Sequence, residues 1–250
     1  MNQTLIVVPT YNERENLPRT VQTLLSLPVK LDALVVDGNS TDGTGQIADE
    51  LATKHPEVHV LHETKKSGLG RAYTASFKWA LERRYEFVFE MDSDHSHDPK
   101  EIPNFLEAAE REAADLVLGS RYVNGIRIMN WPLSRLMLSK GAATYVRIIT
   151  GMPFTDPTGG YKCFRRRALK AIDLEAIRSN GYSFQIETTH NLWRQGFKVV
   201  EVPIIFTERV KGHSKMSGHI VREALLMVWR LWFQNGCRRK PRNNSLPSTE

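Results

Sequence analysis

The chain has 250 residues, of which 41% are hydrophobic and 25% are charged. This composition is typical of a globular protein and excludes a largely disordered or low-complexity chain. The formal net charge of +6 favours an anionic partner such as a nucleotide, a lipid phosphate or a membrane surface. Nucleic acid is not expected as a partner, because the excess basic residues lie late in the chain and are not interleaved with aromatic side chains.

Cysteine usage and the apolar segments bear on the location of the protein. Cys163 and Cys237 have no Cys or His nearby at metal-ligand spacing, which favours a reducing compartment over a structural disulfide. Met1 leads directly into a strand-like apolar segment, so we expect no secretory signal. The most apolar late run, residues 224–229, is much shorter than the roughly 20 apolar residues that a transmembrane helix needs. We therefore expect a chain that does not span a bilayer.

Short apolar runs alternate with amphipathic stretches in the first half of the chain, a pattern typical of βαβ units and a parallel sheet. The predicted strands are residues 4–8, 33–36, 58–61, 87–91 and 116–119. The predicted helices lie near residues 15–26, 44–54, 70–83 and 99–112. Thr41 and Asp98 are predicted helix caps. The pattern predicts a doubly wound α/β fold with a Rossmann-like, mostly parallel central sheet and helices on both faces.

The second half of the chain has a different pattern. The predicted elements are a long helix at 132–149, a glycine-rich turn at 156–160, a helix at 184–194 and one or two strands at 199–207. A polar loop at 208–218 precedes a helical pattern with three aromatic residues at 219–233. We predict one domain over residues 1–234, with the halves meeting near residue 120, and a basic, disordered tail at 235–250.

Polar or glycine residues follow three of the predicted strands, at residues 9–13, 37–40 and 92–94. Ligands of doubly wound sheets bind outside the carboxyl ends of the strands. We therefore expect these three loops to line one crevice.

Asp92 and Asp94 directly follow the fourth predicted strand. Alternate residues at a strand end place two carboxylates around one point, which suits Mg²⁺ or Mn²⁺ bound jointly with phosphate oxygens. The alternative is a pair of solvated turn aspartates, since aspartate is common in turns. The position after a buried strand favours the metal site.

Asp37 closes the second predicted strand, where a carboxylate can accept hydrogen bonds from a base or a ribose. Asp42, by contrast, is predicted to cap the following helix. Residues 68–70 lack the third small residue of a dinucleotide-binding loop. We predict that these glycines let the backbone approach a ligand at a helix N-terminus, with Lys66 or Arg71 adding positive charge.

A second group of candidate residues is basic. Arginine binds phosphate through paired hydrogen bonds, and Arg135 and Ser139 share one helix face because they are four residues apart. The other basic candidates are Arg121, Arg209, Lys211 and Lys215. For each of these residues taken singly, a surface charge is the favoured interpretation. They indicate a phosphate site only in combination with the acidic pair. No catalytic role is predicted for His95, His97 or His213, which lie beside turns.

Five motifs occur in order along the chain: VPTYNE at 8–13, VDGNSTDG at 36–43, MDSD at 91–94, GSRY at 119–122 and DPTGGY at 156–161. Together they resemble the family 2 glycosyltransferases of the A-type fold. Within that family they are most similar to dolichol-phosphate (polyprenol-phosphate) mannosyltransferases without transmembrane segments. The resemblance extends over about residues 4–233.

The resemblance implies an inverting enzyme that transfers mannose from GDP-mannose to a dolichyl or polyprenyl phosphate and uses Mg²⁺ or Mn²⁺. The implied nucleoside-binding residues are Pro9, Tyr11, Glu13 and Asp37. Asp92 and Asp94 are the implied metal and diphosphate ligands, and these two with Arg121 are the implied catalytic residues. The implied acceptor-phosphate residues are Arg121, Arg135 and Ser139, and the implied donor-loop residues are Arg209 and Lys215. Two positions depart from the pattern: Gly38 replaces a second aspartate found in many relatives, and Ser96 replaces an additional metal-contacting side chain found in some.

Two alternatives stay open: a related transferase that uses another donor such as UDP-glucose, and a non-catalytic nucleotide-binding subunit. Because the implied acceptor lies in a membrane, we expect a cytoplasmic protein, peripheral at the cytoplasmic face. The aromatic stretch at 219–233 with the basic tail is predicted either to lie at the membrane interface or to dock a small membrane partner. The alternative for this stretch is an amphipathic helix that packs on the sheet.

Overall fold

The computed structural model describes residues 3–177, 179–208 and 226–233. The predicted residues that lie outside these ranges are Arg209, Lys211, His213, Lys215, Cys237 and the tail at 235–250. Of the predicted helix at 219–233, residues 226–233 are described and are helical; this stretch is called α8.

Strands and helices alternate through most of the chain. The strands are β1 (Thr4–Thr10), β2 (Leu31–Asp37), β3 (Val58–His62), β4 (Phe87–Glu90), β5 (Leu116–Ser120), β6 (Ile128–Met129), β7 (Lys162–Arg165), β8 (Val199–Pro203) and β9 (Phe206–Thr207). The helices before α8 are α1 (Leu17–Leu25), α2 (Thr44–Lys54), α3 (Leu69–Glu82), α4 (Ile102–Arg111), α5 (Leu133–Thr150), α6 (Arg166–Lys170) and α7 (Gly181–Arg194). A 3₁₀ turn at Pro99–Glu101 precedes α4.

The central sheet has the strand order β3-β2-β1-β4-β7-β5-β8. The pairs among β1 to β4 are parallel, and so is the pair of β5 and β8. Among the described strands of this sheet, only β7 runs antiparallel to its neighbours. The prediction of a mostly parallel sheet is confirmed, and all five strands predicted in the first half are present.

Strand β7 was not predicted from the sequence. It has four residues, two of them basic, and so lacks both the apolar run and the alternation that indicate a strand. The side chain of Lys162 is nevertheless buried and pairs in register with Glu90 of β4. Because β7 is antiparallel, its first residue lies at the edge where the neighbouring strands end. The glycine-rich turn at 156–160 is thereby brought to that edge.

Helices cover both faces of the sheet, as predicted. Alternate residues of β1 point to opposite faces, as the period of a strand requires. Leu5 and Val7 belong to a core cluster that includes residues of α3, α7 and α8. Ile6 and Val8 belong to a second cluster that includes residues of α1 and α4. The sheet is therefore buried on both sides, which leaves its carboxyl edge for ligands.

The helix caps agree with the prediction in part. Asp98 accepts a hydrogen bond from the backbone N–H of Lys100 and caps the 3₁₀ turn, which confirms that prediction. Thr41 does not cap α2, because the residue before that helix is Gly43, with φ of 96°. The side chain of Asp42 accepts hydrogen bonds from the N–H and hydroxyl of Thr44, so its predicted structural role is confirmed.

A two-stranded ribbon lies beside the main sheet. It pairs β6 with β9 in parallel and brings Phe206 against Trp131, whose ring centroid is 5.5 Å away. Among the described ranges, no helix has the length and apolarity needed to cross a membrane.

Candidate active site

A cleft of about 480 Å³ opens at the carboxyl edge of the sheet. It lies beside β1, whose neighbours β2 and β4 are on opposite sides, the point in such sheets where the strand order reverses and ligands bind. The predicted site residues that line it are Pro9, Tyr11, Glu13, Asp92, Asp94, Arg121 and Arg135. The acidic pair and two of the predicted basic residues therefore share one cavity.

The loop after β4 holds the two carboxylates by contacts with its own backbone. The backbone N–H of Asp92 donates to Nδ1 of His97 at 3.1 Å, and Oδ1 of Asp94 accepts from the backbone N–H of Ser96 at 3.0 Å. The hydroxyl of Ser93 donates to the carbonyl of Pro9 at 3.3 Å, which ties this loop to the end of β1. Asp94 is buried, whereas 35% of the Asp92 side chain is exposed.

The donor set of the cleft fits a hard divalent cation that is shared with a substrate. In the part of the chain that the structure describes, no group of three or more His, Cys, Asp or Glu side chains forms a complete metal site. Two carboxylates in one cleft leave most positions of an octahedral ion for phosphate oxygens and water, which is how Mg²⁺ is usually held. The lining therefore fits Mg²⁺ or Mn²⁺ that arrives with a diphosphate.

His97 contacts the backbone of the loop that carries Asp92 and Asp94. It is buried and stacks on Tyr161 with ring centroids 4.8 Å apart. Burial lowers its pKa, against the attraction of Asp92 and Asp94. A neutral ring with an unprotonated Nδ1 is the form that accepts the Asp92 N–H. His97 is thus buried and contacts the backbone of Asp92, and that it has no catalytic role stays a prediction.

The other end of the cleft is formed by residues after β1 and β3. The ammonium of Lys66 lies 3.7 Å from the centroid of the Tyr11 ring, and Glu63 lines the same wall. The backbone N–H of Glu13 donates to the hydroxyl of Thr44 at 2.9 Å. This end therefore offers an aromatic ring, a carboxylate and a cation.

Asp37 is a predicted site residue that does not line the cleft. Its carboxylate accepts from the hydroxyl of Ser40 at 2.5 Å and faces Nδ1 of His62 at 3.7 Å. The side chain is buried. Its predicted contact with a nucleoside stays a prediction.

The glycines of residues 68–70 pack closely against residues 179 and 180, and their predicted approach to a ligand stays a prediction. A Cβ on Gly70 would lie 2.2 Å from the carbonyl oxygen of Ser179, and one on Gly68 would lie 2.8 Å from Oδ1 of Asn180. The N–H of Gly70 also donates to Oδ1 of Asn180 at 3.2 Å. These glycines permit close packing of α3 against the start of α7, although Gly68 also lines the cleft.

Arg121 is held rigidly by the glycine-rich loop. Its Nε and Nη2 each donate to the Asp156 carboxylate at 2.7 Å, and Nη2 also donates to Thr158 at 3.0 Å. Burial opposes the charge on both groups, but their attraction raises the pKa of Arg121 and lowers that of Asp156. The Glu201 carboxylate of β8 accepts from the N–H groups of Thr155 and Asp156 and fixes the loop in turn. Arg121, although buried, is also part of the cleft lining.

Arg135 and Ser139, the predicted helix pair, have different surroundings. The guanidinium of Arg135 lies 4.2 Å from the Trp131 ring and forms an ion pair with Glu208. Ser139 does not line the cleft, and its hydroxyl accepts from the Tyr122 hydroxyl at 2.8 Å. The structure brings Arg135, but not Ser139, into the cavity.

A buried polar cluster behind the cleft was not predicted. Glu90, Lys162 and Gln185 are all fully or almost fully buried. Burial raises the pKa of Glu90 to about 7 and lowers that of Lys162 to about 8. The ammonium of Lys162 donates to the backbone carbonyl of Gln185 at 2.7 Å. The sequence has no motif or spacing that brings these three residues together.

The profile of glycosyl transferase family 2 matches residues 5–173. The chain belongs to glycosyltransferase family 2. It is 51% identical over 226 residues to the undecaprenyl-phosphate mannosyltransferase of Micrococcus luteus, covering 90% of this chain and 92% of that protein. It is 52% identical over 227 residues to the polyprenol monophosphomannose synthase of Mycolicibacterium smegmatis, covering 90% of this chain and 85% of that protein.

The solved structures of glycosyltransferases have the same fold. A mannosyltransferase from Pyrobaculum calidifontis, in complex with GDP-Man and Mn²⁺, superimposes with a TM-score of 0.63 at 18% identity, covering 94% of this chain and 65% of that one. The likeness confirms the A-type glycosyltransferase fold that the motifs predicted.

Proposed function

We propose that this family 2 glycosyltransferase moves mannose from GDP-mannose to a polyprenyl phosphate and inverts the anomeric carbon. The observation that carries the proposal is one cleft whose lining includes both the paired carboxylates and two arginines. Relatives at 51% and 52% identity, matched over 90% of this chain, are named for mannose transfer to such lipids. A diphosphate donor and a phosphate acceptor need these two opposite environments side by side.

Asp92 and Asp94 are the proposed ligands of Mg²⁺ or Mn²⁺. When bound, the ion supplies Lewis-acid stabilisation of the negative charge that develops on the departing diphosphate. Pro9, Tyr11, Glu13 and Asp37 are the proposed nucleoside-binding residues. Arg209 and Lys215, outside the described residues, remain the proposed cations of a loop that closes on the diphosphate.

The acceptor phosphate needs no general base, because a phosphate monoester carries about −1.5 to −2 charge near pH 7 and is already a nucleophile. Its oxygen attacks the anomeric carbon, the bond from that carbon to the GDP oxygen breaks, and GDP leaves with the electron pair. Arg121, Arg135 and Ser139 are the proposed acceptor clamp. Asp156 contributes by holding Arg121 in one orientation.

Arg135 is occupied by Glu208 in this structure. An acceptor phosphate at Arg135 therefore has to compete with that carboxylate. Binding of the acceptor phosphate to Arg135 would therefore release Glu208 from its ion pair. Glu208 directly precedes the proposed donor loop.

The acceptor lipid requires contact with a membrane, and we propose peripheral binding at its cytoplasmic face. Helix α5 has an exposed apolar stripe that includes Leu133, Met137 and Ile148, spaced so that they share one face. In α8, Met227, Val228 and Leu231 are buried while Trp229, Trp232 and Phe233 are exposed. This helix therefore packs on the core and still offers aromatic side chains of the type that bind membrane interfaces.

The donor is tested by comparing sugars. Purified protein, polyprenyl phosphate and Mg²⁺ or Mn²⁺ are incubated with GDP-mannose or with UDP-glucose, and the lipid products are analysed by mass spectrometry. The proposal expects a mannosylated lipid from GDP-mannose, and loss of the product when the divalent ion is chelated. A glucosylated lipid as the main product would contradict mannose as the transferred sugar. Transfer that persists after chelation would contradict the dependence on a divalent ion.

A further inference from the structure

Gln185 is a buried side chain whose polar atoms form no well-formed hydrogen bond with the described residues. It lies in the first two turns of α7 and is 2% exposed. Its amide oxygen and amide nitrogen make no hydrogen bond with any group in the part of the chain that the structure describes. It nevertheless lines the cleft. Buried amides in folded proteins are nearly always hydrogen-bonded, because an unpaired one costs free energy.

The surroundings of Gln185 form hydrogen bonds with its backbone carbonyl rather than with its side-chain amide. Its backbone carbonyl accepts from Lys162 at 2.7 Å and from the hydroxyl of Thr189 at 2.9 Å. The Gln185 amide also interacts with the Glu90 carboxylate. Burial raises the pKa of Glu90, whereas Lys162 and the Gln185 amide lower it. The amide acts on the Glu90 carboxylate at hydrogen-bonding range, but the two groups do not reach the geometry of a well-formed hydrogen bond. The side chain is thus fixed by its backbone, with its amide available to a ligand.

The amide lies close to two loops of the cleft, the one that carries the two acids and the one that holds Arg121. A Cβ placed on Gly160 would be 3.7 Å from Nε2 of Gln185 and 3.8 Å from Cε1 of His97. His97 holds the loop of the two acids through the Asp92 N–H. Gly160 belongs to the turn whose Asp156 holds Arg121. Gln185 therefore lies where the loop of the donor diphosphate meets the loop of the acceptor arginine, which is where the transferred group must be.

We infer that the Gln185 amide binds a hydroxyl group of the sugar that is transferred. The inference rests on the proposed function. An amide offers a donor and an acceptor side by side, which matches the neighbouring hydroxyls of a neutral hexose. Sites built to bind a hydroxyl discriminate strongly against an analogue that lacks it, because their own polar groups are then left unpaired. Gln185 is therefore a residue that selects the sugar, separate from the residues that bind the nucleotide and the diphosphate.

The test compares Gln185→Leu with wild type in two measurements, kcat/KM for GDP-mannose and the affinity for GDP with Mg²⁺. We expect kcat/KM to fall about 10-fold or more, with GDP affinity unchanged. Gln195→Leu is the matched control, because Gln195 is exposed just after the same helix, and it should match wild type in both measurements. Gln185→Met, of similar volume, replaces the leucine variant if that one does not fold.

Deoxy analogues of GDP-mannose identify the hydroxyl. Removing the bound hydroxyl should reduce kcat/KM of the wild-type protein by about the same factor as Gln185→Leu does. The same analogue should not reduce kcat/KM of Gln185→Leu any further. Unchanged kcat/KM in the variant, a parallel loss of GDP affinity, or an equal penalty for every deoxy analogue in both proteins would overturn the inference while the proposed function stands. A wild-type protein that transfers no mannose would overturn both.

Discussion

At the scale of single residues, Asp94 offers the sharpest test of the acidic pair. It is buried, and its Oδ1 accepts from the Ser96 N–H, a bond that an asparagine oxygen preserves. We predict that Asp94→Asn lowers mannose transfer by about 100-fold or more, the typical effect of removing a group that stabilises developing charge, while the melting temperature stays close to wild type. Transfer rates and thermal unfolding are measured on the same samples.

Asp49→Asn is the control for this change, because Asp49 is exposed and lies outside the cleft lining. It should transfer mannose at the wild-type rate. Near-normal transfer by Asp94→Asn would contradict the assignment of Asp94 as a metal and diphosphate ligand.

Glu208 lets the acceptor clamp be tested by a gain rather than a loss. If the acceptor phosphate competes with Glu208 for Arg135, then Glu208→Gln frees the arginine. Since both side chains are partly exposed, the ion pair contributes about 1 kcal/mol at most, and we predict a KM for polyprenyl phosphate that is about 2- to 5-fold lower. The KM for GDP-mannose should not change.

Steady-state kinetics with each substrate varied in turn measures both constants. Glu175→Gln removes an exposed carboxylate that pairs with Lys78 and serves as the control. An unchanged or higher KM for the lipid in Glu208→Gln would count against Arg135 as part of the clamp.

At the scale of elements, the loop between α5 and β7 depends on the ion pair of Arg121 and Asp156. Both groups are buried, so removing one charge leaves the other uncompensated. We predict that Asp156→Asn lowers the free energy of unfolding at pH 7 by about 3 kcal/mol, measured by denaturant titration. The exposed change Asp49→Asn should have little effect on stability.

The pH dependence of this effect has a defined sign. The pKa of Asp156 is lowered in the folded protein, because attraction by Arg121 outweighs burial. Its stabilisation is therefore complete above the ordinary aspartate pKa of about 3.9 and is lost as the pH falls from there through the lowered pKa. The difference between wild type and Asp156→Asn should narrow below about pH 4. A difference that widens in acid would contradict the ion pair as its source.

The elements also indicate what a sequence can and cannot predict. The five parallel strands and their polar ends were predictable, because buried apolar runs followed by polar loops are local patterns. Strand β7 was not, since its buried Lys162 is stabilised by the charges of Glu90 and Asp156, and its register partner Glu90 is far away in the sequence. Thr41 was the wrong cap because Gly43 takes that place.

The site shows the same division between local and long-range information. The motif positions of Asp92, Asp94 and Arg121 and the predicted helix pair of Arg135 identified residues that do line one cleft. The partner of Arg135 could not be predicted, because Glu208 lies 73 residues away. Gln185 becomes informative only when its burial and its lack of a partner are known.

At the scale of the whole molecule, transfer to a lipid phosphate requires a protein surface that binds the membrane. The outward stripe of α5 includes Met137 and Ile148, both largely exposed. We predict that Met137→Glu combined with Ile148→Glu abolishes flotation with anionic liposomes and raises the KM for polyprenyl phosphate in vesicles, because two charges would have to enter the interface. The KM for GDP-mannose should stay unchanged.

A double control adds the same charge elsewhere. Gln22→Glu combined with Gln46→Glu changes two polar side chains on α1 and α2, away from the stripe, and should float like wild type. Flotation of the α5 variant at the wild-type level would show that this stripe is not the membrane surface.

The central claim is that one cleft aligns a sugar diphosphate with an attacking lipid phosphate on the opposite side of the anomeric carbon. The most direct measurement is the anomeric configuration, by NMR, of the lipid that the purified protein makes from GDP-mannose and a polyprenyl phosphate. The account predicts a β-linked mannosyl phosphate. An α-linked product, or GDP release with no lipid product, would contradict it.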